Sequence, residues 1–176
     1  MNYYTLDFSY DTNSILKILS EYPDRTVQSL RSKELIEINK ILRIPHLIVS
    51  VLYFQLPPNF IGYIHKDVDL TFGNNKVFAL NLPLQNCNNV FMHWFKQIKG
   101  TESVVFPGIT NETGEVPWLD LENGIKIDSV ICNRPNLVKR DDWHSVDSYD
   151  AADSKFISVR FTSRVTMNDV KASLEN

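Results

Sequence analysis

Residues 47–56 read LIVSVLYFQL and run straight into Pro57 and Pro58. Ile48, Val49, Val51, Tyr53 and Phe54 are β-branched or aromatic, and such side chains pack on a pleated surface while losing rotamer freedom in a helix. The two prolines bring no N–H to a ladder and close the segment. The stretch is therefore a strand, and it marks the point where the character of the chain changes.

Before Pro45 the pattern is helical. Asp11 or Asn13 can cap SILKILSEY, whose Ile15, Leu16, Ile18 and Leu19 form a stripe that Pro23 ends. TVQSLRSKELIEINKIL (26–42) also permits a helix, with Val27, Leu30, Leu35 and Ile38 as core contacts. After residue 56 the strand signals repeat: FIGYIH, KVFALNLPL, VFMHWFKQI, SVVFP, GIKIDSVIC, LVKRDDWHSV and KFISVRFTSR, separated by FGNN, QNCNN, ITNETGE, ENG and NRPN. About eight short strands with no helices between them exclude a doubly wound α/β sheet and favour a β-sandwich or jelly roll. The expected fold is mainly β, with N-terminal helices packed on one sheet. MNDVKASLEN at the end reads as a polar tail or a frayed helix.

The 176 residues suit a single domain, divided into a helical part (1–45), a jelly-roll core (46–165) and a tail (166–176). A formal net charge of −3, with lysines and arginines scattered, provides no field for a polyanion, so nucleic acid is not an expected partner. MNYYTLDFSYD lacks a basic start and an apolar run, and no window is apolar enough to span a bilayer. The expectation is a cytoplasmic protein without a membrane partner. Cys87 and Cys132 are far apart and belong to no C-x-x-C pair, which fits two reduced thiols better than a disulfide framework.

The candidate chemistry lies in GYIHKDVDL (62–70). In an extended chain His65 and Asp67 point to one face and Lys66 to the other, so an imidazole and a carboxylate can meet at one ion. A third ligand must come from His46, His93 or His144. His46 sits beside Pro45 ahead of the strands, His93 is packed among aromatics in FMHWF, and His144 opens a late strand, which makes it the preferred partner. In KFISVRFTSR, Ile157, Val159 and Phe161 form a core face, while Phe156, Ser158, Arg160 and Thr162 face the other way. Arg160 can clamp a carboxylate through two parallel hydrogen bonds, with the Thr162 hydroxyl beside it.

His65, Asp67, His144, Arg160 and Thr162, in this order on this set of strands, resemble the iron(II)- and 2-oxoglutarate-dependent dioxygenases over about residues 47–165. The likeness extends to ALNLPLQN, which is similar to the strand trailing H-x-D in aspartyl-hydroxylase-like and related small viral or marine-type members. What the resemblance implies is a double-stranded β-helix of the cupin-like jelly-roll type. His65, Asp67 and His144 would be the iron ligands and catalytic centre, and Arg160, Thr162 and Asn81 would bind the co-substrate. It further implies Fe(II), 2-oxoglutarate and O2 as cofactors, succinate and CO2 as co-products, and hydroxylation of a small molecule or an amino-acid side chain by a monomer or weak homodimer. The gap between Asp67 and His144 exceeds the family pattern and implies inserted loops, of which GITNETGEVPWLDLENG (108–124) is the obvious one. Two other readings share the fold: a cupin-like metal enzyme that does not use 2-oxoglutarate, and a non-catalytic ligand-binding module presenting Trp94, Trp118 and Trp143. Replacing Asp67 with alanine is expected to abolish iron binding and to leave the fold intact.

Overall fold

The computed structural model describes residues 1–22, 27–46, 48–67, 78–101, 104–111, 114–162 and 164–175, with backbone alone at 104–111 and 114–116. The FGNN turn and Pro23 lie outside the described residues.

β1 (Tyr3–Thr5), α1 (Thr12–Leu19), β2 (Val27–Ser29) and α2 (Ser32–Leu42) precede the long strand β3 (Ile48–Leu56). Asp11 caps α1 by accepting the Ser14 amide at 3.0 Å, and Ile15 and Leu19 bury one face. α2 buries Ile38 and Leu42 and stops at Arg43, whose left-handed φ of 52° lets its N–H close on the Asn39 carbonyl. The segment expected to be helical from residue 26 divides instead. Val27–Ser29 pair with Phe54–Leu52 of β3, because the edge of β3 offers these residues inter-strand hydrogen bonds that a helix start would leave unmade.

The chain continues as β4 (Ile64–His65), β5 (Phe78–Gln85), β6 (Val90–Gln97), β7 (Val104–Asn111), β8 (Gly114–Leu119), β9 (Gly124–Ile131), β10 (Asn136–Lys139), β11 (His144–Ser148), β12 (Ser154–Phe161) and α3 (Met167–Leu174). Among the described residues these strands form two antiparallel six-stranded sheets, ordered β1-β10-β5-β12-β3-β2 and β7-β8-β4-β11-β6-β9. From β3 to β6, and again from β9 to β12, consecutive strands alternate between the sheets, which winds the chain as a double-stranded β-helix. The expected fold class is the one observed.

Period-two alternation sorts the side chains. On β12, Ile157, Val159 and Phe161 join a core with Ile15, Leu19, Ile38 and Leu42, so the helices cover the outer face of the first sheet. Phe156 turns inward, between the sheets, with Leu56, Ala79, Met92 and Trp94. Two segments differ from expectation. LVKRDDWHSV is two strands, β10 and β11, belonging to different sheets and joined by a turn at residues 140–143. The described residues of 108–124 are not a loop: β7 and β8 pair, β8 joins β4, and a 3-10 turn at Leu121–Asn123 leads into β9. The C-terminal segment is a capped helix, in which Thr166 and Asp169 exchange hydrogen bonds and Val170 is buried against the helical core. Among the described residues no helix is long and apolar enough to cross a membrane.

Candidate metal centre

β4 is short and held from behind. The Gly62 amide donates to Asp147 Oδ1 at 3.1 Å, and a Cβ at Gly62 would lie 2.3 Å from the Val146 carbonyl oxygen, so only glycine lets the chain press this closely on β11. That approach sets His65 directly opposite His144 in the β4–β11 pairing. Two residues on, the Asp67 amide donates to the Arg140 carbonyl at 3.1 Å, fixing the carboxylate beside the same point. One ligand atom from each of His65, Asp67 and His144 lies within 4.8 Å of the others. The imidazole centroids are 4.4 Å apart, and His65 Nε2 is 3.8 Å from Asp67 Oδ1.

Both rings are tied by main-chain carbonyls. His65 Nδ1 lies 3.0 Å from the Tyr63 oxygen and His144 Nδ1 lies 2.8 Å from the Asp142 oxygen. A carbonyl only accepts, so each Nδ1 carries a proton, and in the neutral ring that arrangement leaves Nε2 with the lone pair that a metal needs. Burial, with His65 alongside, pushes the His144 ring down to about 3 against the pull of Asp67, so it is neutral at pH 7. For Asp67, burial acts to raise the carboxyl, but Arg140, His144, His65 and Arg160 outweigh it and hold the group well below the usual carboxylate range. Two neutral nitrogens and one carboxylate oxygen form a donor set that fits a divalent first-row metal ion.

The three groups line a cavity of about 490 Å³ between the sheets. Arg160, inward-facing on β12, brings Nη2 to 3.8 Å from Asp67 Oδ2, and Arg140 Nη1 donates to the same oxygen. Asn81 and Ser158, paired across β5 and β12, also line it. The buried Asn81 Oδ1 and Arg140 Nε have no hydrogen-bond partner among the described residues. Thr162 is not among the lining residues: β12 ends at Phe161, and the Thr162 carbonyl accepts the Val165 amide in the turn that follows.

The other histidines are placed elsewhere. His93 Nδ1 is 2.6 Å from Ser129 Oγ and its Nε2 is 3.4 Å from Asp147 Oδ2, while His46 Nε2 meets the Asp169 carbonyl at 3.2 Å. Of the three tryptophans, Trp94 is fully buried and Trp143 is buried with Ile64, Phe95 and Leu119, so neither is available to an incoming ligand. Trp118 lines the cavity. Sequence reasoning missed Arg140. Its signal was Asp141–Asp142, turn-forming residues that break the supposed long strand and place the preceding arginine at a strand end.

The ion pairs overturn one expectation about Asp67. Its carboxylate is the counter-charge to two guanidiniums whose side chains are 9% and 12% exposed, so alanine there costs the fold as well as the site.

No protein-family model matches the chain, and no curated protein matches its sequence. Among solved structures, the chain is similar to the crystal structure of a Pseudomonas putida prolyl-4-hydroxylase, with a TM-score of 0.45 and 9% identity over 91% of each chain.

Proposed function

We propose that this protein is a non-haem iron(II) oxygenase that takes 2-oxoglutarate as co-substrate and oxidises a small molecule or an amino-acid side chain. The observation carrying the reading is the convergence of two Nδ1-anchored imidazoles and one carboxylate on a cavity that also holds two guanidiniums. His65, Asp67 and His144 would hold the ion from one side and leave its other positions to ligands. A divalent ion added to one carboxylate and two arginines makes the site strongly positive, and a dianionic co-substrate offsets that charge. An ion held through Asp67 would draw charge from its carboxylate, and the remaining donors of Arg140 and Arg160 would then meet a ligand carboxylate, with Asn81 and Ser158 supplying polar contacts between them. When bound, iron, 2-oxoglutarate and O2 supply the oxidising step, with succinate and CO2 as co-products. The chain's own work is to orient these groups and to exclude water with the apolar walls of the cavity. We further propose a one-domain enzyme, monomeric or weakly dimeric, in the cytoplasm, a location that two buried free thiols support.

One observation favours a second reading. Both guanidiniums sit at the ligand carboxylate itself, which also suits a cupin-like enzyme whose anionic substrate binds beside the metal. Anaerobic titration with iron(II) and then 2-oxoglutarate separates the two. A weak visible charge-transfer band, with saturable 2-oxoglutarate binding by calorimetry on manganese-loaded protein, is the expected result. Metal binding without 2-oxoglutarate binding would select the cupin-like reading, and binding of neither would reject the metal centre.

A further inference from the structure

The cavity has two chemically distinct ends. Along β12, Arg160, Ser158 and Phe156 face inward at alternate positions, so about 14 Å separates the first from the last at roughly 3.4 Å per residue. Arg160 stands with Arg140, Asp67 and the two histidines. Phe156 stands opposite Phe54 on β3, the two rings stacked with centroids 4.6 Å apart and planes 3° from parallel. β11 and β6 repeat the gradient, since Val146 follows His144 inward and pairs with Met92. Leu52 and Leu56 complete the apolar wall.

The mouth is apolar too. Tyr63, 69% exposed, stands edge-on to Trp118 at 4.5 Å, and Trp118 lies 6.1 Å from the His65 ring. Val27, on the edge strand β2 beside Phe54, lines the cavity as well. The wall beside the metal ligands is thus aromatic and reaches solvent at Tyr63. Every charged lining residue sits at the end that the co-substrate would occupy.

Resting on the oxygenase reading above, we propose that the primary substrate presents an uncharged apolar group, an aromatic ring above all, to this half of the cavity. A substrate carboxylate, ammonium or phosphate placed there would lose its hydration and meet no counter-charge. A ring instead meets the edges of Phe54 and Phe156, the thioether of Met92 and the face or edge of Trp118, contacts that are favourable in themselves. The inference excludes aspartyl and lysyl side chains as the group oxidised.

The test uses manganese-loaded protein saturated with 2-oxoglutarate and four probes: indole and the N-acetyl amides of phenylalanine, aspartate and lysine. Saturation-transfer NMR with paramagnetic broadening by the bound manganese reports binding near the metal. Indole and the phenylalanine amide should bind at least about tenfold more tightly than the charged amides. Val146→Asp should abolish their broadening, and Tyr63→Ala, a change at an exposed position that the fold tolerates, should weaken it. Equal binding of charged and neutral amides, or aromatic broadening unchanged in both variants, overturns the inference. Calorimetry of 2-oxoglutarate on the same manganese-loaded samples keeps the two ideas apart. Failure there counts against the co-substrate alone, whereas failed discrimination with 2-oxoglutarate bound counts against the apolar site alone.

Discussion

Lowering the pH from 7 to 5 should destabilise the metal-free protein by about 2 kcal/mol, and His144→Gln should remove most of that loss. The His144 ring is buried, faces His65 and donates its Nδ1 proton to a carbonyl, so burial and His65 oppose a second proton more strongly than Asp67 draws it. Its folded value is pushed down to about 3, whereas an unfolded histidine titrates near 6.5. Between those values the unfolded chain binds a proton that the folded protein refuses. The ring's contribution is therefore complete above about pH 6.5 and is lost as the pH falls toward 3. At pH 5 the loss spans about 1.5 units at 1.36 kcal/mol each, or roughly 2 kcal/mol. Asp67 is silent in this window, because a carboxylate depressed in the folded state contributes fully above its unfolded value near 4 and fades only below it. Urea unfolding followed by tryptophan fluorescence, in half-unit pH steps with a chelator present, measures the slope. A His144→Gln slope equal to that of the wild type would refute the reasoning, whatever the variant's absolute stability.

Asp67→Ala should abolish manganese binding and also cost about 3–5 kcal/mol, because it removes the counter-charge of the buried Arg140 guanidinium; calorimetry and thermal melts read the two effects separately, and unchanged metal affinity would remove Asp67 from the ligand set. Arg160→Met should weaken 2-oxoglutarate binding by about a hundred- to several-thousand-fold with metal affinity nearly intact, and Arg160→Lys should restore only part. In Arg140→Gln the ion no longer competes with a guanidinium for Asp67, so manganese affinity by calorimetry should not fall; a tenfold loss would make Arg140 a support of the site instead of a competitor. Gly62→Ala forces a methyl group against the Val146 carbonyl, and should cost about 1–3 kcal/mol in urea melts and lower metal affinity by displacing His65.

The parts of this fold that were legible are those written in side-chain period. β3, β5, β6, β9 and β12 carry enough β-branched and aromatic residues to declare themselves, and alternation along β12 separated Ile157 and Val159 from Arg160 without any structure. His65 and Asp67 were legible for the same reason. β2 was not, because three residues hold no pattern and only the edge of β3 makes them a strand. Thr162 lies one residue past the end of β12, where strand alternation no longer governs the side chain. Arg140 was hidden for another reason. Its meaning lies in contact with Asp67, which sequence spacing does not reveal and only the β4–β11 pairing creates.

The two imidazoles take their bearings from peptide oxygens, at Tyr63 and Asp142. An anchor of that kind has no side chain to lose. Where carboxylates or amides steady such rings, drift at the supporting positions can slowly turn a ligand away; here, drift at residues 63 and 142 leaves the anchoring oxygens in place. The cavity walls can be exchanged for a different guest while both nitrogens keep their aim. The tolerance of this scaffold to variation around its centre is thus built into the course of the polypeptide, and what it does not tolerate is a bend in β4 or β11.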